Sequence, residues 1–152
     1  MYRRLIRSRI RTIFSALNRG DTSPMLNSLA SEFEYVFHGE HALGGRRTTA
    51  ASVAAWWERV FQLLPGHRFE VQQILVNGPP WNTQVALHGR VTGTLPGGRP
   101  YENVLFQRMR IRWSQVTAIE PLENLQLLES ALEHMCSSGV SLAGAGPITD
   151  DP

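Results

Sequence analysis

The sequence predicts an α+β domain in which helices cover the concave face of a bent antiparallel sheet. Two observations carry this. The helical patterns gather in the first 64 residues, and a run of strand patterns joined by short turns occupies Arg68 to Glu120. The third observation is size. At 152 residues, 42% hydrophobic and 18% charged, the chain suits one domain with a single core.

Each element has its own warrant. Ile6, Ile10, Ile13, Phe14 and Leu17 recur at helical spacing, and Asn18-Arg19-Gly20 stops that helix. Ser23-Pro24 starts a short second helix, Pro24 to Ala30, with Ser23 as N-cap. Phe33 to His38 has strand composition, and the glycine-marked stretch His38 to Arg47 reads as a loop. Thr48 or Thr49 caps the clearest helix. Its stripe is Val53, Trp56, Trp57, Val60, Phe61 and Leu64, and Pro65-Gly66 ends it.

Phe69 to Val76 and Thr83 to Leu95 are strands, followed by a Pro96–Pro100 connection. Tyr101 to Trp113 returns, with Leu105, Gln107, Met109, Ile111 and Trp113 in one row and Arg108, Arg110 and Arg112 in the other. Ser114-Gln115 reads as the next turn, Val116 to Glu120 as the last strand, and Leu122 to Met135 as a terminal helix. The domain is expected to span 1–136. Residues 137–152, small, polar and bearing Gly and Pro, are expected to form a disordered tail.

Charge is unevenly placed. All 15 basic residues are Arg, and six of them fall in the first 19 residues, which contain no acid. The rest of the chain is net acidic. The basic pI is thus a property of the first helix, and a nucleic-acid partner is not expected, because the arginine rows lack interleaved aromatics. Arg7, Arg9 and Arg11 interrupt any secretory apolar stretch, and no run suffices to span a bilayer, so neither a secretory signal nor an integral membrane protein is expected. The amphipathic first helix is expected to dock on its own domain rather than on a membrane surface, which is the alternative its pattern leaves. The lone Cys136 cannot form an internal disulfide, and a cytoplasmic location is the expectation.

The segments FEYVFH before a glycine loop, FEVQQILVNG, QVALHGRVTGTLPGGRPYENVLFQRMRI and QVTAIEPLENLQLLESAL follow one another in an order that resembles the SnoaL-like group of the ketosteroid-isomerase and nuclear-transport-factor superfamily. The resemblance covers about residues 10 to 135, and Val91-Thr92-Gly93-Thr94 followed by Gly97-Gly98-Arg99-Pro100 is its most specific piece. It implies a cone-shaped half-barrel, a pocket for a hydrophobic small molecule and a homodimer through the outer sheet face. It names no reaction, since cyclases, isomerases, dehydratases and pure binders share the architecture.

Within that frame, His38 resembles a histidine at the cavity mouth, and an acid just before the last helix is matched by Glu123 or Asn124, depending on a one-residue gap. Glu120 continues the row of Val116 and Ala118 toward the cavity. His38, Glu120 and Glu123 are therefore the expected proton-handling groups, since an acid enclosed by apolar groups titrates near neutrality. Tyr35 and Gln107 are expected to orient a ligand, Trp57 and Phe61 to wall it, and His41 to meet it at the loop. Gly89 either widens the pocket or marks a strand bend. His38, Glu40 and His41 match no metal-ligand spacing, and no cofactor is expected. The functional expectation is a cofactor-independent cyclase or isomerase. The alternative is a ligand-binding or dimeric interaction module without chemistry, and a third reading attaches the N-terminal arginines to acidic surfaces.

Overall fold

The computed structural model describes residues 1–150. In chain order the elements are α1 (Tyr2–Asn18), α2 (Ser23–Ser28), β1 (Leu29–Phe37), β2 (Gly45–Arg47), α3 (Ala50–Leu63), β3 (Arg68–Asn77), β4 (Thr83–Thr94), β5 (Pro100–Arg112), β6 (Gln115–Leu122) and α4 (Leu125–Ser137). Short 3-10 turns lie at Pro96–Gly98 and Ser141–Gly144. One six-stranded sheet runs β2-β1-β6-β5-β4-β3. All neighbours are antiparallel except β1 and β6.

The sheet is long, strongly bent and unclosed. β5 alternates strictly between exposed and buried positions over 13 residues, so one row faces the core and the other faces out. The inner row packs against the apolar stripes of α1 and α3, as the sequence spacing predicts: Ile6, Ile10, Ile13, Phe14 and Leu17 are buried on α1, and Val53, Trp56, Trp57 and Val60 on α3. Thr49 caps α3 by accepting from the Ser52 N–H at 3.2 Å.

The arginines of α1 have a structural task. β3 is an edge strand, and its outward carbonyls would otherwise stand unpaired. Arg7 Nε donates to the Ile74 carbonyl (3.1 Å), Arg11 Nη1 to that of Val71 (3.0 Å), and Asn18 Nδ2 to that of Phe69 (2.9 Å). Asn18 Oδ1 in turn accepts from the Phe69 N–H at 2.7 Å. The helix thus covers the edge with side chains spaced four and seven apart along one flank.

Several expectations shift. The second helix is Ser23–Ser28 with Thr22, not Ser23, at its N-cap, and the last helix starts at Leu125 because Leu122 still pairs with Phe106 in β6. β1 starts at Leu29 rather than Phe33, and β2 forms inside the expected loop by pairing Arg47 with Tyr35. The β5–β6 turn is Trp113-Ser114, not Ser114-Gln115, because Arg112 pairs with Gln115; Trp113 therefore leaves the inner row and is exposed. The expected disordered tail is ordered as far as residue 150, while residues 151 and 152 lie outside the described residues. Ala143 is buried, the carbonyls of Gly146 and Ile148 accept from Arg59 and Arg47, and Asp150 accepts from the backbone N–H groups of Thr48 and Thr49 at the start of α3. Composition underestimated this segment because its partners lie far away in sequence: the guanidinium groups of Arg47 and Arg59, the start of α3, and the core on which Val140, Leu142 and Ala143 pack.

Candidate functional site

β6 decides which acid enters the cone. Along the β5–β6 pairing, Arg110 lies opposite Ala118 but Ile111 lies opposite Val116, so Thr117 is an extra residue in β6. Such a bulge inverts the side-chain parity beyond it. Val116 faces in with Ile111, whereas Glu120 now lies opposite Arg108 on the outer row. There Glu120 Oε2 is 2.8 Å from His38 Nε2 and Oε1 accepts from Arg108 Nε at 3.0 Å, with both His38 and Glu120 substantially solvated. These bonds hold the Glu120 carboxyl below its ordinary pKa. The expectation that His38 and Glu120 face the cavity is corrected: they form a hydrogen-bonded pair on the convex side.

Glu123 goes the other way. It helps line a cavity of about 40 Å³ between the sheet and α4, with Phe37, Trp56, Val60, Phe69, Leu128 and Leu132 among its walls. Glu123 as a whole is partly exposed, but its Oε1 accepts a hydrogen bond from Tyr101 Oη at 3.1 Å. Burial of the carboxyl among apolar groups raises its pKa to about 7, and the Tyr101 bond only partly offsets that. Tyr101 is held in turn. Asn103 Nδ2 donates to Tyr101 Oη (2.8 Å) and to the Asn124 carbonyl (3.0 Å), while Asn103 Oδ1 accepts from the Asn124 N–H (3.0 Å). With Oη accepting from Asn103, the hydroxyl proton points at Glu123. The Tyr101 pKa is raised, first by burial and then by the Glu123 charge.

Asn124 is occupied as the N-cap of α4, its Oδ1 accepting from the N–H groups of Gln126 and Leu127. The gap between Glu123 and Asn124 thus resolves with Glu123 at the cavity. Tyr101 and Asn103 were missed as site residues. The available signal was their place on the inner row of β5, where a polar side chain needs a partner.

A second, smaller cavity of about 10 Å³ lies between α1 and the sheet. Tyr35 of β1, Trp57 of α3 and Gln107 of β5 line it with Ile10, Phe14 and Met109, so three of the expected ligand-contacting residues are brought to one cavity. Trp57 Nε1 is buried without a hydrogen-bond partner among the described residues. Tyr35 is almost wholly buried, and desolvation pushes its hydroxyl well above the ordinary tyrosine range. The guanidinium of fully buried Arg47 lies 5.3 Å from the Trp56 ring centre and 5.8 Å from that of Tyr35. Its Nη atoms donate to the carbonyls of Gly44, Gly45 and Ile148, and burial lowers its pKa to about 10, leaving it charged at neutral pH. Arg47 was read only as the end of a loop, because nothing in the sequence distinguishes a buried guanidinium from a surface one.

The remaining expected contacts take other roles. His41 staples its loop: Nε2 donates to the His38 carbonyl at 3.0 Å and Nδ1 accepts from the Leu43 N–H at 3.1 Å, which fixes a neutral tautomer. Its pKa is lowered, chiefly by burial. Phe61 stacks on His67 with ring centres 4.6 Å apart, outside both cavities. Gly89 does not widen the pocket. It sits opposite the bulge in β3, where a Cβ would run into the Glu70 carbonyl.

An open, bent sheet wrapped on helices is the cone architecture of the NTF2-like fold, and here a partly exposed carboxyl lines a small cavity beneath its last helix. Comparisons with known proteins narrow this. The SnoaL-like domain model matches residues 10–119, and the chain belongs to that family. Among solved structures, TerC, crystallised with polyporic acid, superposes with a TM-score of 0.72 at 18% identity, covering 83% of this chain and 96% of its own. IdmH of Streptomyces antibioticus, provisionally assigned as a polyketide cyclase, gives 0.69 at 19% identity over 83% and 96%. An NTF2-like protein of Burkholderia thailandensis gives 0.69 at 17% over 82% and 95%. No curated protein sequence matches the chain significantly. No helix among the described residues is long and apolar enough to cross a membrane.

Proposed function

We propose that the chain performs cofactor-independent proton transfer, of the kind used in cyclisation or isomerisation, on a hydrophobic small molecule held under α4. The observation that carries this is Glu123, a carboxyl lining an apolar cavity with its pKa brought to about 7. Near neutrality such a group is present in both forms, so it both takes a proton from carbon and returns it. Tyr101, aimed by Asn103, donates to Glu123 and steadies the ionised form. Cyclase-type assignments and a small-molecule complex among proteins of the same fold support the substrate class. A cavity of about 40 Å³ holds only a few waters. Ligand sites run to about 300–1,000 Å³, so binding requires α4, with its buried Leu128, Ala131, Leu132 and Met135, to move outward. Tyr35, Gln107 and Trp57 then orient the ligand.

The test is exchange of carbon-bound hydrogen for deuterium in a panel of enolisable polycyclic ketones and quinones, followed by NMR. The rate should rise with pH through about 7. E123Q should lower it about 100-fold or more. Full activity in E123Q sinks the reading.

A second reading, a homodimer acting as a binding module in the cytoplasm, is favoured by the outer face. Val104, Phe106 and Leu122 are exposed there beside Arg108 and the His38–Glu120 pair, and the His88 and Phe106 ring centres are 4.9 Å apart. Light scattering on the intact protein should give a dimer that F106D converts to a monomer. A monomeric parent protein removes this reading without touching the first.

A further inference from the structure

We propose that the end of the molecule carrying Trp81 and Trp113 is a docking surface for an anionic phospholipid bilayer. The first observation is conformational. Trp113 and Ser114 form a two-residue hairpin turn with φ of 49° and 67°. Turns of this shape favour Asn and Gly, and a bulky residue at positive φ is an outlier. Packing does not compensate for it, since Trp113 is 63% exposed. Its ring centre lies 5.9 Å from that of Trp81, itself 55% exposed on the loop between β3 and β4. A strained, solvated aromatic pair at a loop tip calls for an external partner.

The second observation is charge. The Trp113 N–H donates to the Pro80 carbonyl at 2.8 Å, Arg9 donates to the Ser114 carbonyl, and Arg3 Nη2 lies 3.4 Å from Asn77 Oδ1. The start of α1, the β3–β4 loop and the β5–β6 turn are therefore one structural end. The segments that build it, residues 1–11, 77–83 and 112–116, contain six arginines and no Asp or Glu; Arg7 and Arg11 are held by β3 carbonyls and Arg9 by that of Ser114, so Arg3, Arg4 and Arg112 are the ones placed to meet an external anion. Leu5 and Met1 add exposed aliphatic surface. Tryptophan favours the membrane–water boundary, where its ring is half apolar and its N–H stays wet, and arginines beside it pair with lipid phosphates.

Nucleic acid fits less well. The two indoles lean on one another at 42°, leaving no slot for a base between them, and exposed aliphatic groups add nothing to base stacking. α1 itself does not lie in the lipid, because its apolar stripe is already buried in the domain. Contact is made by the tip and its arginines.

Sedimentation of the full chain with vesicles tests this. Phosphatidylcholine vesicles containing about a third phosphatidylglycerol should bind at least about tenfold more protein than phosphatidylcholine alone, and high salt should abolish the difference. W113N installs a residue the turn prefers, so the fold is kept and thermal stability does not fall. W81S/W113N should lose about tenfold or more of the anionic-vesicle binding. Equal binding by the double variant, or no preference for anionic vesicles, overturns the proposal. So does a single-stranded oligonucleotide that competes with the vesicles, or a tryptophan-dependent change of oligomeric state in their absence.

Discussion

Glu120 and Glu123 stand three positions apart, yet they occupy opposite regions of the molecule. On the convex face Glu120 has His38 and Arg108 as partners and water around all three, and its carboxyl is easier to ionise than usual. At the mouth of the cone Glu123 has one hydroxyl partner and an apolar wall, and its carboxyl is harder to ionise. The residue type is the same, so the difference lies in desolvation and in the number of donors. An acid becomes useful for moving protons at neutral pH where partners are few and water is thin, and a well-satisfied acid on an open sheet face does not.

The contrast has opposite signs in pH, and Glu123 gives the larger effect. Its folded-state pKa lies above the unfolded value of 4.5, so between 4.5 and about 7 the native state retains a proton that the unfolded chain releases. Stability therefore falls as pH rises through that window and levels off above it. E123Q should remove the slope. It should unfold at the same denaturant concentration as the parent below pH 4.5, and be more stable by up to ~3 kcal/mol at pH 8. Urea titrations of both proteins across this range check it. A parent whose stability does not change between pH 5 and 7 would break the comparison.

Asn103 sharpens it. This buried amide holds Tyr101 Oη and both backbone groups of Asn124, immediately ahead of α4. N103A strands those groups and should cost about 2 kcal/mol. It should also move the Glu123 titration, because Tyr101 loses the bond that aims its hydroxyl. Carboxyl titration by NMR in N103A, compared with the parent, separates this from simple destabilisation. An unmoved Glu123 titration would mean that Asn103 serves only the start of α4.

The sequence carried much of this architecture for physical reasons that are easy to name. The stripes of α1 and α3 and the alternation of β5 are long, and long periodic patterns have few readings. The acid at the cavity was legible only as an alternative. A single extra residue at Thr117 flips every side chain after it, and no pattern of apolar residues marks Thr117 as the bulge, since Thr suits either face. That flip moved Glu120 to the outside, where it meets His38, which follows the inward-facing Phe37 at the end of β1. The tail and Arg47 escaped for a related reason. Arg47 is held by carbonyls and the tail by two arginines and the start of α3, all from distant segments, and nothing local in a sequence marks such partners.

The smallest effect belongs to the outer pair, and its smallness is informative. The Glu120 pKa is depressed, so its contribution is present above the ordinary carboxylate pKa and is lost as pH falls toward the folded value. Yet Glu120, Arg108 and His38 are all partly solvated, and exposed pairs of this kind contribute at most ~1 kcal/mol. E120Q should therefore lower stability at pH 7 by no more than that, leave the pH 4.5–7 slope intact, and leave any ketone-exchange rate unchanged. High salt should erase even the small loss, because screening acts on solvated charges. Should E120Q instead abolish exchange while E123Q preserves it, the chemistry would lie on the convex face, and the bulge at Thr117 would have carried the functional acid out of the cone rather than cleared the way for Glu123.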